Sequence, residues 1–424
     1  WSKEFVLLIL FQMVFQIIFL KAKKVNLFSL SGMFLMLSYF FHFGQLFAFV
    51  IFPEYDSQRT NFYLYYNFNG MRRASEYSLI TLLMVGFGIL ISTGKNAKFK
   101  VFENNQDLSI CKKIGWILIF LTFPVQLYLD ILKIIISTKE GYRATYSTGL
   151  PGVLSAFGFI SFTGFTLLIL GYSEHKKKSL FIYLAIVAYL ILTMFSGHRG
   201  HQITIILFLS YIIHHKVVKI DVKKMVLLIF ISFLGVSLLN TLFIYRGIEG
   251  KTFTTFINIF IEEFNIDSVK DILIEIGGTI RTVYLTMEQT KDYREFAYGT
   301  TYLASIFAVF PNIGNIFGDI NTYAHYVKQL DGHALGGSYV GELYYNFSYF
   351  GMFLSVFIGI FVNKISERLQ YYLKYKFYLN IAYLAPIFMY MLWWVRDAFI
   401  SLLRPFIWGA IVLFVIKNLI TKKI

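Results

Sequence analysis

The sequence has little cysteine and little charge. Cys111 is the only cysteine among 424 residues, which excludes an internal disulfide and a metal site built from several cysteines. Asp, Glu, Lys and Arg together make up only 15% of the chain, whereas they form about a quarter of an ordinary soluble domain. A chain of this length and composition is therefore too apolar for a soluble globular protein.

Familiar catalytic motifs are also missing. No GxGxxG, Walker, GxSxG or HExxH pattern occurs, so nucleotide binding and serine or zincin hydrolysis have no motif support. His198 and His201 stand three residues apart in "SGHRGHQI", but no cysteine or carboxylate stands in that turn. The sequence therefore gives only weak support to a zinc or iron site.

Long apolar runs dominate the chain. Hydrophobic residues form 57% of it, the mean hydropathy is +0.62, and runs of about 20 apolar residues match the thickness of a bilayer core. The runs predict an all-α polytopic membrane protein with about 11 (10–12) transmembrane helices. The first run is followed by "KAKK" rather than a small-residue cleavage site, so we expect a span there and not a cleaved signal. The predicted spans are roughly 4–20, 27–52, 77–93, 114–138, 150–172, 180–195, 202–213, 225–245, 339–363, 380–395 and 399–416.

Basic residues concentrate in every second connection between these spans. Six segments hold 22 Lys or Arg and 5 Asp or Glu, a net charge of +17 against +15 for the whole chain. Basic loops of membrane proteins lie in the cytoplasm, which predicts an outward N-terminus and a cytoplasmic C-terminus. The basic balance therefore indicates membrane orientation and no nucleic-acid partner. The segments are 21–24, 94–113, 174–178, 214–224, 364–376 and the tail from 417.

One outward connection is much longer than the others. Residues 246–338 hold 7 Lys or Arg and 11 Asp or Glu, and they separate an N-terminal transmembrane bundle (1–245) from C-terminal transmembrane helices (339–424). We interpret the three parts as one integral membrane domain with a large extracytoplasmic loop.

Two segments of this loop are apolar. Apolar residues recur at helical spacing from Val269 to Met287, behind a cap at Asp267 or Ser268. This pattern predicts an amphipathic helix on the membrane or across the mouth of the bundle. The stretch 301–317 is broken by proline and glycine, which favours a re-entrant or interfacial hairpin over a span.

Six arginines stand outside the membrane or in its outer half, where the positive-inside rule disfavours them. Arg404 lies within an apolar span, where a charge costs about 3 kcal/mol unless it is paired or faces a cavity. Outward arginines near span ends indicate an anionic ligand, because the guanidinium fork suits phosphate oxygens. The alternative is that each caps a helix or pairs with a neighbour such as Asp397 or Glu249. The six are Arg143, Arg199, Arg246, Arg281, Arg396 and Arg404.

Two residues are candidates for a general base. His333 lies in a glycine-containing outer loop just ahead of Glu342, which stands about one turn inside the next predicted span. A carboxylate at that depth is costly unless it is paired or functional, and either group can accept a proton from a sugar hydroxyl. The alternative is a loop histidine together with a carboxylate that pairs with one of the arginines.

Three stretches now stand out together: "MFSGHRGHQI", the loop start "YRGIEG", and "HALGGSYVGELYYNFSYFGMF". With the long outward loop, they resemble the Wzy-type polysaccharide repeat-unit polymerases, the O-antigen polymerase group of bacterial envelopes. The resemblance extends through topology over most of the chain. One departure is His198, where many members have a basic residue or glycine.

The resemblance implies a metal-independent glycosyltransferase with a GT-C-like bundle and no cofactor. It would use a glycan on undecaprenyl diphosphate as donor and a second lipid-linked repeat unit as acceptor, at the outer face of the bacterial cytoplasmic membrane. Glu342 or His333 would take the acceptor proton, and arginines would stabilise the charge that grows on the leaving diphosphate. The residues implied to bind the diphosphate or substrate are Arg199, Arg246 and Arg281, with Arg143 in support and His198, Arg396 and Arg404 as further candidates.

The resemblance also implies partners and leaves alternatives open. The partners would be lipid-linked oligosaccharides, membrane lipids, and a chain-length regulator and a flippase of the same pathway. The alternatives are an O-antigen-ligase-type glycan transferase, a transporter or flippase for the lipid-linked oligosaccharide, and a structural subunit of an envelope assembly. Against transport, the charges cluster at the outer face rather than at the midplane, and no two-fold repeat is evident.

Overall fold

The computed structural model describes most of the chain, and all regular structure in the residues it describes is helical. This agrees with the all-α prediction. The described residues are 3–51, 67–94, 99–100, 107–140, 144–145, 152–196, 200–219, 234–235, 237–238, 241, 244, 253–264, 270, 273–274, 276–290, 295–312, 316–330 and 335–421.

Fifteen α-helices lie in this described part, with short 3₁₀ turns at Met194–Ser196, Ser348–Phe350 and Trp394–Arg396. In chain order they are α1 Lys3–Ala22, α2 Leu30–Ile51, α3 Phe68–Ser92, α4 Leu108–Glu140, α5 Gly152–Gly171, α6 Lys176–Thr193, α7 Gly200–Lys216, α8 Phe253–Glu263, α9 Thr279–Gln289, α10 Thr300–Phe307, α11 Tyr323–Leu330, α12 Tyr339–Phe347, α13 Gly351–Lys374, α14 Tyr378–Trp393 and α15 Phe399–Thr421.

Eight helical segments of the described residues are long and apolar enough to cross a membrane, as expected of a polytopic membrane protein. They are formed by α1 to α5, by α12 together with α13, by α14 and by α15. The predicted spans 180–195 and 202–213 correspond to α6, which begins with three lysines, and to α7, which has only 17 residues. The predicted span 225–245 lies mostly outside the described residues. The number eleven therefore stays a prediction.

The predicted span 339–363 is not one continuous helix. α12 ends at Phe347, and Ser348 adopts a positive φ of 52°, a left-handed conformation that is unfavourable for a residue with a Cβ. The chain then approaches itself closely, since a Cβ on Gly351 would lie 2.6 Å from the Leu343 carbonyl oxygen and 2.7 Å from the Tyr77 hydroxyl. The predicted span lies within one apolar segment, Tyr339–Lys374, that is long enough to cross a membrane, but its helix is interrupted at Ser348, and Glu342 lies on the short half.

α14 is the central helix of the bundle. In the apolar segment that includes α14, 83% of the residues are buried inside the protein, whereas 22% are buried in α1. α4 packs along α5 and α3 packs along α13. Gly88 and Gly359 allow the second of these contacts, because a Cβ at either position would lie 2.1 or 2.0 Å from a carbonyl oxygen of the other helix. Small residues of this kind let helices approach closely in membranes.

The predicted basic connections meet at one end of the bundle. The Lys112 ammonium lies 4.9 Å from the Tyr172 ring centroid, and the Lys216 ammonium lies 5.6 Å from that of Tyr378. Tyr378 begins α14, and Trp393 ends it, so the connection after Trp393 lies at the opposite end, about 24 Å away along a 16-residue helix.

The amphipathic helix predicted up to Met287 is interrupted and is packed between other helices. A turn at Gly277 and Gly278 precedes α9, and a Cβ on Gly277 would lie 2.1 Å from the backbone nitrogen of Gln45. α9 contacts α3 and α12 and buries seven of its eleven residues. The prediction of one continuous helix is therefore wrong. The proposed caps at Asp267 and Ser268 lie outside the described residues.

The stretch 301–317 begins with the eight-residue α10, which is about 12 Å long and too short to cross a bilayer. α10 packs against α15, and the chain turns before Pro311. This is compatible with the predicted re-entrant or interfacial hairpin.

Candidate functional site

The connection between α14 and α15 lies beside two of the sequence motifs. The Arg396 guanidinium carbon is 5.4 Å from the ring centroid of Phe41 and 5.2 Å from that of Trp393. A Cβ on Gly200, the last residue of the "SGHRG" stretch, would lie 3.5 Å from Arg396 Nη1, and one on Gly336 would lie 3.6 Å from Nε and Nη2. Gly200 and Gly336 therefore both lie next to the guanidinium.

Arg396 does not form the expected ion pair with Asp397. No ion pair of Arg396 occurs within the described residues, and its buried Nε has no hydrogen-bond partner there. Asp397 instead accepts hydrogen bonds from Trp393 Nε1 at 2.6 Å and from the Ala398 backbone N–H at 2.7 Å. Burial raises the pKa of the Asp397 carboxyl above its ordinary value. Arg396 therefore acts on Asp397 through space only, and no described carboxylate accepts its hydrogen bonds.

A cavity of 320 Å³ lies next to this connection. α4, α5, α7, α14 and α15 contribute to its wall, which combines charged, amide and aromatic side chains. Residues that line it include Gln126, Asp130, Lys133, Phe159, His201, Gln202, Tyr390, Trp393, Asp397 and Arg404.

Arg404 lines the cavity and also stabilises a helix end. Its Nη2 donates to the Ala308 carbonyl at 2.7 Å, and its Nε donates to the same oxygen at 3.3 Å. Ala308 is the C-cap of α10, where the helix dipole attracts a cation. Trp408 Nε1 donates to the next carbonyl, that of Val309, at 3.0 Å. The helix-capping alternative thus applies to Arg404 in addition to its place at the cavity.

Glu342 joins three helices. Its side chain is fully buried, and its two carboxylate oxygens accept hydrogen bonds from the Phe399 backbone N–H at 2.8 Å and from the Thr301 hydroxyl at 3.3 Å. Asn346, one turn further along α12, donates to Thr301 Oγ1 at 2.7 Å and accepts from the Gly299 N–H at 2.9 Å. Glu342 therefore binds the N-terminus of α15, where a carboxylate is favourable, and connects it to α10 and α12.

Arg281 is half-buried on α9. The hydroxyl of the next residue, Thr282, donates to the Gly336 carbonyl at 2.7 Å. Gly336 also lies next to Arg396. Arg281 is therefore adjacent in sequence to a residue that contacts the loop beside Arg396.

Ser338 connects this loop to α2. Its hydroxyl accepts hydrogen bonds from the N–H groups of Val340 and Gly341 at 3.2 and 3.3 Å, so it is the N-cap of α12. The Ser338 hydroxyl also lies 2.9 Å from His42 Nε2, and His42 Nδ1 lies 2.8 Å from the Ser38 carbonyl. The fully buried His42 therefore positions the residue that begins α12.

Five of the predicted site residues cannot be placed. Arg143, His198, Arg199, Arg246 and His333 lie outside the described residues. The structure brings Arg396 and Arg404 to the connection between α14 and α15, with Glu342 and the Arg281 helix packed next to it.

Sequence reasoning missed three residues near the site. Asp130 and Lys133 stand in "QLYLDILK" within a predicted span, and the rule that drew attention to Arg404, a charge inside an apolar run, applies equally to them. His42 gives no comparable signal, because a single histidine in an apolar run does not reveal a partner almost 300 residues away.

A metal site receives no added support from the geometry. Within the part of the chain that the structure describes, no three His, Cys, Asp or Glu side chains are close enough to hold a metal ion.

Comparison with known proteins gives a family match over nearly the whole chain. The family model described as O-antigen polysaccharide polymerase Wzy matches residues 2–424, nearly the whole chain. No curated protein and no solved structure matches the chain.

Proposed function

The chain belongs to the Wzy family of O-antigen polysaccharide polymerases, and from this premise we propose that it joins repeat units carried on undecaprenyl diphosphate. An acceptor hydroxyl at the non-reducing end of a new unit attacks the anomeric carbon of the growing glycan. The bond from that carbon to the lipid diphosphate breaks, the diphosphate leaves, and a base takes the hydroxyl proton. The growing chain thereby moves as a block onto the new unit.

The observation that carries the proposal is the position of Arg396 next to both Gly200 and Gly336. These glycines belong to two stretches that are far apart in sequence, and no described carboxylate pairs with the arginine. A guanidinium in such a place suits an anionic leaving group, because charge-assisted hydrogen bonds strengthen as charge grows on phosphate oxygens. Arginines would then stabilise the transition state without a metal ion.

The proposal assigns the diphosphate to a group of arginines around this connection. Arg396, Arg404 and Arg281 are the described members of the group. Gly200 directly follows Arg199 in the sequence, which supports including Arg199. The further members, Arg246, Arg143 and His198, are proposed on the family resemblance.

The acceptor proton goes to Glu342 or His333. Both carboxylate oxygens of Glu342 already accept hydrogen bonds from the protein. Glu342 therefore acts as the base only if Phe399 and Thr301 move away from it. His333 stands three residues before Gly336, in the loop beside Arg396, and is the alternative base.

We place this site at the outer face of the cytoplasmic membrane. The end of α14 at Tyr378 contacts the basic connection at Lys216, and basic connections favour the cytoplasm. The opposite end of α14, with Trp393 and Arg396, then faces outward. The same orientation gives an outward N-terminus and a cytoplasmic C-terminus.

Polymerisation in a purified system tests the proposal. The protein in detergent receives synthetic undecaprenyl-diphosphate repeat units of its own strain and excess EDTA, and products are resolved by gel and mass spectrometry. We expect a ladder spaced by one repeat unit, and its loss in Arg199→Ala and Arg396→Ala protein. Arg72→Ala is the matched control, because Arg72 is exposed and paired with Glu76 on the same helix.

Other outcomes would assign a different activity. No ladder from folded wild-type protein, together with movement of the lipid-linked unit across reconstituted vesicles, would identify a transporter. Transfer of one glycan to a lipid or protein acceptor without a ladder would identify a ligase.

A further inference from the structure

A carboxylate faces the cavity from α4. Asp130 is only 8% exposed. Gln126 Nε2 and the Tyr189 hydroxyl both donate to its Oδ2 atom, at 2.8 and 2.5 Å. Within the described residues, no group donates to Oδ1. Because both protein donors use the same oxygen, the other oxygen is left to a ligand.

A second open acceptor lies on α7. Gln202 is also 8% exposed and lines the same cavity. Its Nε2 donates to Thr193 Oγ1 at 3.3 Å, whereas its buried Oε1 has no partner among the described residues. A buried acceptor without a donor costs about 1–3 kcal/mol, so buried polar atoms in native structures are nearly always paired. An open acceptor on Asp130 and a buried one on Gln202, both on one cavity, indicate a ligand that supplies hydrogen-bond donors.

The rest of the wall narrows the class of ligand. Phe159, Tyr390 and Trp393 line the cavity and offer apolar ring surface beside the two acceptors. The volume of 320 Å³ is far larger than the roughly 15 Å³ that one water needs. A diphosphate carries no hydroxyl donors and would be repelled by the open oxygen of Asp130, whereas a sugar has several hydroxyl donors and apolar C–H faces.

We propose that Asp130 and Gln202 bind hydroxyl groups of the repeat-unit glycan. This inference rests on the proposed function and divides its site into two ends. Arg404 and Arg396 mark the end that takes the diphosphate, and α4 forms the end that takes the sugar. Lys133, three residues after Asp130, lines the same cavity and is in no ion pair within the described residues. Its ammonium donates to sugar oxygens.

Asparagine at position 130 is an informative substitution. In Asp130→Asn the amide oxygen still accepts the hydrogen bonds of Gln126 and Tyr189, but the atom that faces the cavity becomes an NH₂ donor. The change is isosteric; it removes the open acceptor together with the negative charge. Glu140→Gln is the matched control, because Glu140 is an exposed carboxylate at the end of the same helix. Gln202→Leu removes the second acceptor independently.

Binding is measured without turnover. The probe is the lipid-free repeat-unit oligosaccharide, released from its carrier by mild acid and titrated onto the purified full chain by saturation-transfer NMR. We expect the Kd to rise at least 10-fold in Asp130→Asn and in Gln202→Leu and to stay unchanged in Glu140→Gln. Binding of farnesyl diphosphate, which probes the other end, should change less than 2-fold in all three.

Two results would overturn the inference. Unchanged oligosaccharide binding in folded Asp130→Asn and Gln202→Leu protein would mean that the open acceptors bind water only. If the wild-type protein does not bind the oligosaccharide, the cavity is not a sugar site. The ladder assay decides separately whether the chain polymerises. If a melting curve shows that Asp130→Asn does not fold, Gln202→Leu alone decides.

Discussion

The guanidinium of Arg396 lies 5.2 Å from the ring centroid of Trp393, the last residue of α14. The ring centroid of Phe41 lies 5.4 Å from it. Cation–π contacts of this kind hold a flat guanidinium in one orientation without using its hydrogen-bond donors. The donors of Arg396 therefore remain available to a ligand.

Arg396→Ala should lower the polymerisation rate by roughly 10- to 100-fold, since a hydrogen bond to a charged group contributes about 1.5–3 kcal/mol. Arg396→Lys should recover only part of the rate, because lysine retains the charge and loses the planar fork. Initial rates of ladder formation measure both. Equal rates in Arg396→Ala and in the Arg72→Ala control would remove Arg396 from the site.

Gly200→Ala should reduce activity by acting on the same arginine. A Cβ at this position would lie 2.4 Å from Trp393 Cζ3, so the indole must shift and move the guanidinium with it. We expect at least a 10-fold slower ladder and a lower Tm. Gly235→Ala is the control, because a Cβ there meets no atom of the described residues within 4 Å. If Gly200→Ala behaves like Gly235→Ala, the close packing of Gly200 against Trp393 is unimportant.

Glu342→Ala should destabilise the protein by about 2–5 kcal/mol, because it leaves the buried Phe399 N–H and the Thr301 hydroxyl without an acceptor, at about 1–3 kcal/mol each. Glu342→Gln should keep most of this stability, because its amide oxygen still accepts one bond. Denaturation in detergent measures both variants, and equal stability of Glu342→Ala and wild type would contradict the anchoring role.

The activity of Glu342→Gln separates the two candidate bases. A folded variant that has lost at least 100-fold in rate would assign the proton to Glu342. Near-normal activity would assign it to His333, and His333→Ala should then be inactive.

Ser338→Ala should lower stability by about 1 kcal/mol through loss of an N-cap and by a further amount because His42 Nε2 loses its partner. The rate should fall as well, since Ser338 holds the end of the loop that lies beside Arg396. Ser78→Ala is the matched control: Ser78 is equally buried, and its hydroxyl donates to the Ala74 carbonyl of its own helix. A rate equal to that of Ser78→Ala would mean that the loop position does not depend on this cap.

The sequence predicts those parts of the fold that depend on hydropathy alone. The apolar runs predicted the long helices, because a span must be about 20 apolar residues long. The break at Ser348 was not predictable, since its positive φ depends on packing of Gly351 against Tyr77, 274 residues earlier. For the same reason, the close contact of Gly277 with Gln45 interrupts a helix that periodicity alone predicts to be continuous.

The candidate site was predictable as a set of residue types and not as an arrangement. An arginine or carboxylate in an apolar run is visible in the sequence, so Arg396, Arg404 and Glu342 could be named. Which of them is paired depends on tertiary contacts: Glu342 binds Phe399, Arg404 binds Ala308, and Arg396 has no described carboxylate. Arg396 belongs to none of the three sequence motifs and was therefore only a further candidate. In the structure it lies next to Gly200 and Gly336, which belong to two of those motifs.

Three helices begin around this connection: α7 at Gly200, α12 at Tyr339 and α15 at Phe399. Each N-terminus carries about half a positive charge from its peptide dipoles. Carboxylates already meet two of these N-termini, because Glu342 and Asp397 accept hydrogen bonds from the N–H groups of Phe399 and Ala398, and Glu342 also stands in the first turn of α12. The backbone dipoles of α12 and α15 are therefore offset by the chain's own acids, and the positive potential available to an anion at this place depends on its arginines.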